Sequence, residues 1–170
     1  MKNLKFILVL AISVMAISCG NDDDGGPAEP TLTPALLEGT YNLNFSVSEE
    51  VIEEVVTGGT ATTTITKVGD TFGSSNIVFN ANGTFTRNYQ YRVETTTQFD
   101  NNETTSSQII TESNGGSYSV NDDDQTITID GGTGDVTVFS SSQLRLEFME
   151  VDVDGNRTTT TNTELRFERQ

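Results

Sequence analysis

A chain with no His, no Trp and a single Cys, at position 19, has few routes to covalent or metal chemistry. His-based proton transfer, Cys–His nucleophiles and the His or Cys ligand sets of zinc and copper are all excluded. Carboxylates are plentiful: 25 Asp and Glu stand against 9 Lys and Arg, a formal net charge of −16 over 170 residues. A glycosidase needs two carboxyls flanking a cleft, one with a raised pKa. Among 25 acidic residues some pair always fits that description, and there is no Trp platform for sugar stacking, so the composition reads as a non-enzymatic protein with no implied cofactor. The negative charge also opposes nucleic acid, which is bound by Lys and Arg.

Two patterns remain. Phe85, Arg87, Tyr89, Tyr91 and Val93 alternate strictly, which puts one guanidinium on an apolar and aromatic strand face. A buried, unpaired guanidinium is costly, so either Arg87 sits at a cavity mouth and meets an anionic head group, with Tyr89 and Tyr91 as wall, or a bulge turns it to solvent. Asp152, Asp154 and Asn156 place oxygens at alternate positions, as calcium loops do, but the Glu that closes an EF-hand loop is missing. A plain Asp-Gly hairpin turn explains the same residues.

The elements that must position these residues begin after a leader. Met1-Lys2-Asn3-Leu4-Lys5 is a basic opening, residues 6–17 are apolar but for Ser13, and AISC ends at Cys19. That is a signal peptide over 1–18, and AISC resembles the lipobox of bacterial lipoproteins, whose Cys is acylated. Membrane anchoring through lipidated Cys19 follows. Beyond residue 18 there are 7 basic and 25 acidic residues, a net charge of −18. Residues 19–35 carry Asp22-Asp23-Asp24 and Pro27, Pro30 and Pro34, and read as a tether without regular structure. The acidic block resembles the export signal that places Bacteroidetes lipoproteins on the outer face of the outer membrane; a solvated charge run is the alternative.

Residues 36–170 read as one β-domain. Leu144, Leu146 and Phe148 alternate with Arg145 and Glu147, and after Asp154-Gly155-Asn156 the returning strand carries Leu165 and Phe167 against Glu164, Arg166 and Glu168. The outer face of that hairpin is expected to pair opposite charges across strands. Further hairpins are expected about Asn82-Gly83 and Asn121-Asp122-Asp123-Asp124, with a weaker strand over 104–111. Val51, Ile52, Val55 and Val56 recur at helical spacing yet are all β-branched; strand is preferred to helix because Gly58-Gly59 and a Thr-rich run follow. Nine or ten short strands with hardly a helix give a sandwich or a closed barrel, and closure removes exposed edges.

LLEGTYNL at 36–43, NANGTFT at 80–86, GGSYSVNDDDQTITI at 115–129, VFSSSQLRLEF at 138–148 and the ending ELRFERQ resemble, in order, the lipocalin-like domain of Bacteroidetes lipoproteins. Tyr41 stands where that family more often has Trp, and Asn82-Gly83 where it has Asp-Gly. The resemblance implies an all-β, lipocalin-like antiparallel up-and-down β-barrel of about 8–10 strands with an interior cavity, and no catalytic residues. Two function classes follow: a surface-anchored protein holding a small apolar or amphipathic ligand near Arg87, Tyr89 and Tyr91, or an accessory lipoprotein whose outer face contacts another envelope protein or glycan.

Acylation is directly testable. Cys19→Ala is expected to leave uncleaved precursor or released soluble protein, and to abolish labelling by an alkyne fatty acid. Equal labelling of wild type and variant would contradict it.

Overall fold

The computed structural model describes residues 31–170, so the leader, Cys19 and the acidic block lie outside the described residues. A short helix, α1 (Pro34–Leu37), precedes nine strands: β1 (Gly39–Val56), β2 (Gly59–Asp70), β3 (Asn76–Asn80), β4 (Thr84–Phe99), β5 (Asn102–Asn121), β6 (Thr126–Ile129), β7 (Gly132–Phe139), β8 (Gln143–Asp154) and β9 (Arg157–Arg169). All pair antiparallel in one sheet, each with its neighbour in sequence or the next but one. The last strand returns to the first through a register from Tyr41↔Arg169 to Glu54↔Arg157, so the strands run round as a ring.

Strands β2 and β3 both lie antiparallel to β1 and β4 and occupy successive stretches of one position in that ring. The break between them holds Thr71 and Gly73 at positive φ. The segment containing Val51, Ile52, Val55 and Val56 is strand, with Val51 opposite Thr64 on one side and Thr160 on the other. Six β-branched or acidic neighbours in a row gain more from two ladders of backbone hydrogen bonds than from an isolated helical turn.

The ring is uneven in depth. β4 pairs with β5 along its whole length, from Thr84↔Ser117 to Phe99↔Asn102. β6 meets β5 only over Tyr118–Asn121, and β7 meets β8 only as far as Phe148. Residues 102–117 of β5 and 149–154 of β8 therefore have a strand neighbour on one side only, and the wall between them is open above the β6–β7 hairpin.

The apolar residues gather at the opposite end. Tyr41, Phe79, Phe85, Ile127, Leu144, Leu146 and Phe167 are at most 2% exposed. Phe79 meets Tyr118 edge-on at 4.9 Å and Tyr41 at 5.8 Å. Below this layer α1 closes the ring: Leu32 and Leu37 are buried, Thr33 caps the helix, and Pro34 stands in its first turn, where a missing N–H costs nothing. The folded part thus starts before Leu36, and Pro34 initiates structure where the sequence reading had a tether. Arg169 holds the plug in place, its guanidinium donating to the carbonyls of Leu36 and Glu38 and lying 5.5 Å from the Tyr41 ring.

Two local features depart from simple alternation. A bulge between Leu43 and Phe45 sends Phe45 outward, where Arg166 stacks on it at 4.2 Å. On the outer face of β8 and β9 the residues directly opposite are alike in charge, Arg145 with Arg166 and Glu147 with Glu164. The opposite charges meet diagonally instead, Arg145 Nε lying 2.7 Å from Glu164 Oε1. Asn82-Gly83 belongs to a three-residue loop between Asn80 and Thr84, with Gly83 at φ +79°.

The closed end sets stability. Phe79→Ala is expected to cost about 3–5 kcal/mol, since its ring is fully enclosed. No described residue hydrogen-bonds the buried Tyr41 hydroxyl, so Tyr41→Phe should be neutral or stabilising, by up to about 1–3 kcal/mol. Urea unfolding followed by circular dichroism checks both; a large loss for Tyr41→Phe would contradict this packing.

Candidate functional site

Above the packed layer lies a cleft of about 790 Å³. Its floor and walls are Ile77, Tyr89, Ile129, Leu146, Phe148, Leu165 and Phe167, with Arg87 and Glu150 as its charged residues. Strand alternation builds it. β4 buries Phe85, Tyr89 and Val93 and exposes Thr84, Thr86, Asn88 and Gln90, so Arg87 keeps the inward register with no bulge. On the far wall β8 and β9 present Leu146 and Phe148 opposite Leu165 and Thr163.

Arg87 is inward but not unpaired, which corrects the sequence expectation. Its guanidinium lies 2.6 Å from Glu112 and 3.4 Å from Asp130, and Nε donates to Asn114 Oδ1 at 2.7 Å. Its side chain is 25% exposed. The partners come from the β4–β5 register, which sets Arg87 opposite Asn114 and Tyr89 opposite Glu112, and from the β6–β7 turn. That turn has Asp130 and Gly131 at φ +52° and +88°, the paired positive values of a type I′ hairpin. Gly116, across from Phe85, makes the approach possible: a Cβ there would collide with Asp130 Oδ1.

Tyr89 is 7% exposed and lines the cleft. Burial is the main cause that raises its phenol pKa; the charges of Arg87, Glu112 and Tyr91 act on it, and no hydrogen bond does. Tyr91 is placed elsewhere. It stacks on Phe72 at 5.4 Å and meets Tyr89 edge-on at 6.3 Å, outside the cleft lining.

The Asp152, Asp154 and Asn156 group forms an ordinary hairpin. Gly155 takes φ +61°, Asp154 pairs with Arg157, and Asp152 with Thr159. Asn156 donates to the Val55 carbonyl at 2.8 Å, tying this turn to the end of β1. Among the described residues, no three His, Cys, Asp or Glu side chains gather so as to hold a metal ion.

Sequence reasoning missed Glu112, Asn114 and Asp130. The register of a long β4–β5 hairpin would have found the first two, but the weak pattern over 104–111 hid it. Comparison with known proteins returned no matching family model, no matching curated protein and no matching solved structure.

Burial also raises the phenol pKa values of Tyr41 and Tyr118. A group whose folded pKa exceeds its unfolded one adds stability that is complete below the ordinary phenol value of about 10 and is lost as pH rises through the folded value. Native protein should therefore develop phenolate absorbance at higher pH than urea-unfolded protein, and lose stability over the same alkaline range. Coincident titration curves would contradict the burial of these rings.

Proposed function

We propose that this chain is a lipocalin-like, non-enzymatic lipoprotein, anchored to the outer membrane through Cys19 and exposed at the cell surface, that holds a small apolar or amphipathic molecule in the cleft. The observation that carries the reading is the cleft itself: about 790 Å³, directly above a packed floor, with apolar and aromatic side chains in its walls and Arg87, Glu150, Thr133, Thr163 and Tyr89 as its polar residues. Small-molecule sites have this size and this mixture. The antiparallel meander returning to its first strand supports the lipocalin-like assignment, since those proteins are eight-stranded up-and-down barrels. The lipobox-like AISC and the acidic block after it support the anchor and the surface address.

A second reading rests on a different observation. Met149, Val151 and Val153 are 67%, 53% and 66% exposed along β8, where that strand has a neighbour only in β9. An apolar strand with a free edge suits contact with another envelope protein.

Gly132 separates the two. It lies at the cleft opposite Ile129, and a Cβ added there meets only the Ile129 carbonyl at 3.6 Å. Gly132→Phe should fill the mouth without disturbing the ring. Wild type is expected to bind the neutral dye N-phenylnaphthylamine at one site, and the variant about tenfold or more weakly with unchanged circular dichroism, a loss of about 1.4 kcal/mol or more. Equal binding by both, or by neither, would overturn the cleft reading in favour of the β8 surface.

A further inference from the structure

Resting on the ligand-holding reading, we propose that the cleft selects by charge: it takes an amphiphile with a neutral or cationic head, an alcohol or an amine, and rejects a carboxylate. Arg87 first suggests the opposite. Its charge is already met by Glu112 at 2.6 Å and Asp130 at 3.4 Å, and its Nε by Asn114. An anionic head reaching for Arg87 must displace a carboxylate or lie beside two of them, and Glu150 lines the same cleft. The mouth thus holds one positive and three negative groups. Immediately above it on the inner face Glu50, Asp152 and Asp154 lie around Arg157 and Thr159, and Lys67 stands 3.7 Å from Glu50, so three carboxylates there face two cations. Charges of one sign around a cleft with apolar walls concentrate the opposite ion and exclude their own kind.

An independent observation supplies the polar contact. Tyr89 is 93% buried, lines the cleft, and has no hydrogen-bond partner at its hydroxyl among the described residues. A neutral phenol can donate to an alcohol or accept from an ammonium. The aromatic rings of Tyr89 and Phe148 in the lining also favour a cation over an anion. Arg87, on this account, positions Glu112 and Asp130 at the rim and keeps them from repelling each other.

The test uses three ligands with one tail: dodecylamine, dodecanol and dodecanoate, each below its micellar concentration at neutral pH, displacing N-phenylnaphthylamine from the full chain. Dodecylamine and dodecanol are expected to compete, and dodecylamine about tenfold more tightly than dodecanoate. The ratio should narrow with added salt and in Glu150→Gln, whose carboxylate has no ion-pair partner among the described residues. Equal or stronger competition by dodecanoate, or no competition by any of the three while the dye still binds, would overturn the charge selection and leave the cleft as a site. Failure of the dye itself to bind would overturn the ligand-holding reading and this inference together.

Discussion

Strand β1 is paired along both edges, with β2 and β3 on one side and β9 on the other. Everything else in the molecule depends on that double pairing. It turns a meander into a ring and commits each inward side chain to a shared interior. The interior must then be filled by side chains or by something else. The fully buried large apolar residues are concentrated in one layer, from Tyr41 and Phe79 to Leu146 and Phe167, with Leu32 and Leu37 sealing the outer end. Above that layer the inward positions mix polar and charged residues such as Glu50, Asp152 and Thr159 with scattered apolar ones, and β6 and β7 are too short to continue the wall. A cleft over a packed floor is the outcome.

The cleft's charge follows from the same geometry. A guanidinium directed inward by strict alternation cannot remain unpaired in a half-buried position. The long β4–β5 hairpin brings Glu112 within reach by register, and a type I′ turn folds Asp130 over the gap left by Gly116. Two carboxylates for one cation is more than neutralisation requires, and in a chain of net charge −16 no other cation among the described residues lines that cleft. Local pairing and global composition agree on a mouth that disfavours anions.

What was legible in the sequence was what alternation controls. The inward set Phe85, Arg87, Tyr89, Tyr91 and Val93, the apolar face of β8 and β9, and the preference of β-branched residues 51–56 for strand all follow from period-two spacing and side-chain shape. What was hidden depends on contacts distant in sequence. The Leu43 bulge, which inverts the facing of the rest of β1, leaves no trace in a run of alternating polar and apolar residues. Leu32 and Pro34 look like tether because one buried leucine and a four-residue helix carry no periodicity. Arg87 looked unpaired because its partners lie 25 and 43 positions away, one in a Thr- and Ser-rich stretch of weak pattern. The like-charged opposite pairs of β8 and β9 show the same limit: charge type was legible, the diagonal was not.

The central claim is that the space above the packed floor is occupied by a small molecule in the living cell. Native mass spectrometry of the full-length protein, extracted from its host without denaturation, tests this most directly. Wild type is expected to carry a discrete non-covalent mass beyond that of its covalent chain, released on unfolding and absent from Gly132→Phe. A wild-type spectrum with no such mass, or the same adduct on both proteins, would contradict the account.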